Sequence, residues 1–166
     1  MDLTLQKIAL TLMATAILAV NVPAGAATLK KCNTAPLIVT TKNVGQVSYF
    51  AENCEKAWDT QSIQLDFAYS YDIPEWAFKR AANHFLKKNV AGYNPNMALN
   101  QITQWYQPVK KGDLYRLNYQ HTAQKMTLLL NQKVLGKVSD PQINQYFNIW
   151  FGATPFNAKL KQQLLN

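Results

Sequence analysis

Metal ligands are scarce in this chain of 166 residues, which holds two cysteines and two histidines. Cys32 and Cys54 do not form a CxxC pair, and His84 and His121 lack an HExxH frame. Structural zinc and HExxH chemistry are therefore excluded, and no metal or cofactor is expected. Acidic residues are few as well, nine against 17 Lys plus Arg, and the resulting net charge of +8 favours loose attraction to anionic surfaces without specifying a fold. Those basic residues are scattered and no RNP-type stacking motif accompanies them, so no nucleic-acid partner is expected. Internal repeats, low-complexity tracts and Gly/Ser linkers are also missing. A chain that is 48% apolar and 16% charged then reads as one globular domain.

Long apolar runs are confined to the start. Ile8 to Val20 is followed by a proline and by the small residues Ala24, Gly25 and Ala26, the pattern of a secretory signal peptide cleaved near Ala26. The run is too short for a membrane anchor, which needs roughly 20 apolar residues. Thr28, Leu29, Lys30 and Lys31 stand between the small residues and Cys32, so lipid attachment is not indicated. Residues 1–26 form the signal peptide in this reading and residues 27–166 the domain. Removing the former takes away one Lys and one Asp, which leaves the whole +8 with the domain. The expected location is the periplasm, where chromosomal targets are out of reach and an oxidising environment permits a bridge between Cys32 and Cys54 worth about 3 kcal/mol. Two separately buried thiols are the other reading.

Along the domain, Leu37–Thr41 and Val44–Phe50 are β-prone runs broken by Lys42 and Asn43, a bent strand or a hairpin. Ile63, Leu65, Phe67 and Tyr69 alternate with polar or small residues, the period of a strand with one buried face. Asp72, Ile73, Pro74 and Glu75 resemble a capping box, and Phe78, Ala81, Ala82, Phe85 and Leu86 then share one helical face, giving a helix over about 74–89. Asn94 and Pro95 open a second helix that stops before Pro108. Tyr115, Leu117 and Tyr119 alternate again. Met126–Leu130 and Val134–Val138 flank Asn131, Gln132 and Lys133 as a hairpin. Asp140 and Pro141 begin a third helix that Gly152 ends, and Thr154 and Pro155 begin a fourth. The order predicts an α+β domain, a mainly antiparallel sheet covered on one face by helices.

The segments KKGDLYRLNY at 110–119, NQKVLGKVSDP at 131–141, QYFNIWFG at 145–152 and LKQQLL at 160–165 resemble the chalcone isomerase-like family in its small bacterial exported branch. Weaker likeness runs through 65–85 and 44–53. The resemblance implies helices packed on one side of a long antiparallel sheet, with a cleft between them. It also implies two activities: plant members close a flavanone ring by intramolecular addition, and non-catalytic members bind fatty acids. Both are associated with an Arg on an early strand that holds an anionic oxygen, beside Tyr, Thr and Asn groups. Here Leu37–Phe50 contains no Arg, and the chain's two arginines are Arg80 and Arg116. The family's catalytic set therefore does not carry over.

Three residues are candidates for a rebuilt anion site. Lys42 is the cation nearest the missing Arg, although an ammonium lacks the planar fork and a strand-end Lys is commonly just solvated. Tyr49 could supply a hydroxyl. Arg116, between Tyr115 and Tyr119, could reach a carboxylate, or sit as an exposed cross-strand charge. His84, His121 and Asp113 read as surface and turn residues. Trp105, Tyr106, Tyr146, Phe147, Trp150 and Phe151 are core by their helical spacing, and a helix-on-sheet cleft can use such a core as its wall. The expectation is a non-catalytic chalcone isomerase-like protein that binds a small apolar or amphipathic, fatty-acid-like ligand. The rivals are an isomerase or lyase with a rearranged site, and an envelope interaction module.

Overall fold

The computed structural model describes residues 28–166, so the signal-peptide reading of residues 1–26 lies outside the described residues. Six strands, β1 (Lys30–Val39), β2 (Lys42–Ala51), β3 (Ile63–Tyr69), β4 (Leu114–Gln120), β5 (Lys125–Leu130) and β6 (Lys133–Ser139), pair in sequence order, each antiparallel to the next. The alternation in the sequence fixes the register. Tyr49, Leu65, Leu117 and Leu128 lie side by side across β2 to β5, all buried on one sheet face. The intervening positions Ser48, Asp66 and Arg116 occupy the other face.

The helices α1 (Glu75–Asn89), α2 (Ala98–Trp105), α3 (Asn148–Phe151) and α4 (Ala158–Leu165) complete the chain. Packed against the buried sheet face, they enclose one core that runs from Ala35 to Leu164. The architecture is α+β, as the strand and helix pattern predicts. Gly136 is the close-approach point of α2: the Trp105 indole lies flat against its backbone, where any Cβ would collide with the ring. The β5–β6 turn carries Asn131 and Gln132 at φ 49° and 70°, the left-handed pair that a two-residue hairpin requires. α4 covers β1, with Leu160 and Leu164 buried, while Asn33 Nδ2 donates to the Leu164 carbonyl at 3.1 Å and Asn157 Nδ2 to that of Ile38 at 3.3 Å.

The first helix spans the residues the sequence predicts, but its cap and the starts of α2 and α4 differ, because side chains there find other partners. Pro74, not Asp72, occupies the N-cap of α1. Asp72 instead accepts from Lys110 Nζ at 3.0 Å and from the Lys111 N–H at 2.9 Å. α2 begins at Ala98 rather than near Pro95, since the Asn94 side chain closes a turn onto the Asn96 N–H. α4 begins at Ala158, not at Thr154: Asn89 clamps both the N–H and the carbonyl of Thr154, and Asn157 caps the helix by accepting from the Leu160 N–H. The expected third helix is a 3-10 turn over Ile143–Phe147 that leads into the single turn of α3.

β1 reaches back to Lys30, well before the apolar Leu37 that marks it in the sequence. Cys32, near its start, is bonded to Cys54 in the loop after β2. No helix among the described residues is long and apolar enough to cross a membrane.

Candidate functional site, an apolar cleft at one end of the sheet

The meander places the β1–β2, β3–α1 and β5–β6 connections and the segment before β4 at one end of the sheet. Beneath that end lies a cleft of about 280 Å³. Its floor is the sheet: Leu37 and Val44 from the first hairpin, Phe67 and Tyr69 from β3, Tyr115 from β4. Ile73, Ala77, Phe78 and Ala81 form one wall, and Ile149, Trp150 and Phe156 the other. The small side chains of Ala77 and Ala81 on α1 leave room that larger residues would fill.

Four aromatic rings make the inner corner. Phe78 stacks on Tyr106 with centroids 5.2 Å apart, and Tyr69 and Tyr115 meet Phe78 edge-on at 5.6 and 5.4 Å. The polar atoms of these tyrosines remain uncharged. Burial raises the Tyr115 pKa to about 12, against an opposing pull from its hydrogen bond with Gln107. Burial also lifts Tyr69 and Tyr106 well above the ordinary tyrosine value. The Tyr115 hydroxyl accepts from the Gln107 N–H and donates to the Gln107 carbonyl, both at 2.8 Å. A wall of this kind offers dispersion contacts and hydroxyl dipoles but no fixed charge, which suits a hydrocarbon chain.

The three candidates from the sequence are not brought together. Lys42 stands at the rim, opposite Val39 in the hairpin, with its ammonium 3.6 Å from the centre of the Tyr71 ring. Tyr49 is buried in the core, edge-on to Phe151 at 5.5 Å. Its hydroxyl has no hydrogen-bond partner among the described residues, and burial raises its pKa to about 12. Arg116 lies on the opposite sheet face, where its guanidinium is taken up by Asp66 through Nε to Oδ1 at 2.8 Å and Nη2 to Oδ2 at 2.7 Å.

His84 and His121 are exposed, and Asp113 closes the turn before β4 by accepting from the Lys110 N–H and from Asn131 Nδ2. Of the aromatic clusters, Trp150 and Tyr106 do serve as cleft wall. Sequence reasoning missed Tyr69, Phe78 and Ile73 as lining residues. Tyr69 and Phe78 signal only membership of apolar stripes, which core residues share, and Ile73 stands within the helix-cap pattern.

A six-stranded antiparallel sheet covered on one face by helices, with an apolar cleft between them, defines the α+β architecture of the chain. The family model described as chalcone isomerase-like matches residues 47–166, and the chain belongs to that family. No curated protein matches the sequence. Among solved structures the fold is similar to that of a fatty-acid binding protein of Arabidopsis thaliana, with a TM-score of 0.59 and 12% identity over 84% of this chain and 85% of that one.

Proposed function

We propose that the protein is an exported, non-catalytic member of its family that binds a single-chain amphiphile, a fatty acid or a similar acyl compound, in the cleft. The carrying observation is the uncharged aromatic and aliphatic lining. A volume of about 280 Å³ falls just below the roughly 300–1,000 Å³ common for small-molecule sites, which favours one acyl chain over a bulkier lipid. Lys42 at the rim supplies a cation for an anionic headgroup, while the tail lies against Phe67, Phe78 and Trp150. The fold of the plant fatty-acid binding protein is consistent with this use of the scaffold. Export through a signal peptide removed near Ala26 accompanies this reading, and the Cys32–Cys54 bond is compatible with it.

The test is titration of delipidated, oxidised protein with decanoate and longer fatty acids, followed by calorimetry. Saturable binding at one site is expected, abolished by Ala81→Phe without loss of the fold. Failure of every chain length to bind overturns the reading. Turnover of hydroxychalcones that disappears with Lys42→Met or Tyr49→Phe would replace it with the rearranged-site enzyme.

A further inference from the structure

The large apolar side chains left exposed are Val39, Tyr71, Trp76 and Val134 among the described residues. Val39 ends β1, Tyr71 follows β3, Trp76 sits in the first turn of α1, and Val134 lies at the start of β6. All four therefore stand at the end of the sheet that holds the cleft, and Val39 is itself a lining residue. Trp76 is 64% exposed and is flanked in the chain by the lining residues Ile73 and Ala77.

The same end carries a basic excess. Lys42 and Lys133 begin β2 and β6 at the cleft end, Lys110 and Lys111 precede β4 there, and Arg80 lies one helical turn beyond Trp76. Three acidic groups share that end, Asp72 with Lys110, Glu75 with Lys79 and Asp113 with Asn131, and with Lys79 counted the six cations outnumber them by three. At the opposite end Glu52, Glu55, Asp59 and Asp140 stand against Lys30, Lys31, Lys56, Lys125 and Lys137, an excess of one cation.

We propose that the cleft end of the sheet docks onto an anionic lipid bilayer, with Trp76 and Tyr71 seated at headgroup depth and the surrounding lysines against the negative surface. Exposed Trp and Tyr favour the boundary between water and hydrocarbon, since an amphipathic ring satisfies both phases there. Each Lys or Arg near such a surface adds attraction that salt screens. The inference rests on the acyl-ligand reading and deepens it: docking by this end brings the cleft mouth to the membrane, so an acyl chain passes between bilayer and protein without crossing water.

Sedimentation of the intact mature protein with phosphatidylcholine vesicles, with and without phosphatidylglycerol, tests this. Salt-sensitive binding to the anionic vesicles alone is expected. Trp76→Ala and Lys111→Glu should each weaken it about fivefold or more, while Lys137→Glu, an equal charge change on an exposed residue nearer the far end of β6, should have little effect. Absence of vesicle binding at low salt overturns the proposal, as does an equal loss with Lys137→Glu, which would reduce the attraction to net charge. Decanoate titration in vesicle-free buffer separates the two readings. Wild-type protein that binds decanoate but no vesicle refutes the docking alone, whereas failure to bind decanoate strikes the cleft reading.

Discussion

Arg116 grips Asp66 through two parallel hydrogen bonds of 2.8 and 2.7 Å, across directly paired positions of β3 and β4 on the sheet face away from the cleft. Gln64 Nε2 adds a third donor to the same carboxylate at 3.0 Å. Asp66 is only 8% exposed, so its charge depends on these partners. Arg116→Met should cost about 1–3 kcal/mol by leaving a buried carboxylate short of its cation. The double variant Asp66→Asn/Arg116→Met should recover part of that loss in chemical denaturation. Decanoate affinity should be unchanged in both, and a parallel fall in affinity would bring Arg116 back as a ligand residue.

Trp150 packs against Phe67 with ring centroids 4.9 Å apart and also forms cleft wall. Trp150→Ala should destabilise the fold by about 3–5 kcal/mol and enlarge the cleft, shifting preference toward longer chains among the variants that still fold. A loss under about 1 kcal/mol in urea denaturation would show that the ring carries little of the core.

The bond between Cys32 and Cys54 closes a loop across a sequence separation of 22. Replacing both by Ser should lower stability by about 2–4 kcal/mol. Intact mass of the oxidised, secreted protein should show no free thiol and a first residue near Ala27.

Alkaline pH should unfold the protein in step with tyrosine ionisation. Tyr49 and Tyr115 are raised from 10.0 to about 12, in both cases chiefly by burial. The folded state thus keeps protons that the unfolded chain releases near pH 10. The stability these groups contribute is full below pH 10 and is lost as pH rises toward 12. Absorbance at the tyrosinate band, recorded beside circular dichroism, should show these two groups ionising only as the fold melts.

The sheet was legible because its strands obey a strict period: Ile63 to Tyr69 and Tyr115 to Tyr119 alternate, and Asn131–Gln132 marks a hairpin by local backbone chemistry alone. Helix starts were less so. Asp72 has the right spacing for a cap, but its partners Lys110 and Lys111 come from a distant turn that local spacing cannot reveal. The cleft was visible only as a general expectation of the fold. Whether Ala77 and Ala81 face packed atoms or open volume depends on how far Phe67 and Trp150 stand across the gap, and no periodicity encodes that distance. Arg116 illustrates the same limit, since its partner Asp66 is fifty residues away in the chain.

The contact between β1 and α4 sets an order on folding. β1 is one outer strand of the sheet, its Ile38 carbonyl taken by Asn157 Nδ2 and its Asn33 side chain donating to the Leu164 carbonyl. A chain that emerges from its N-terminal side can pair β1 with β2 early, because they are neighbours in sequence, yet the outer edge of β1 stays open to foreign strands until residues 157–165 arrive. The last helix therefore acts as a closing latch. Nascent chains shortened within it should aggregate through β1 even though every strand of the sheet is already present.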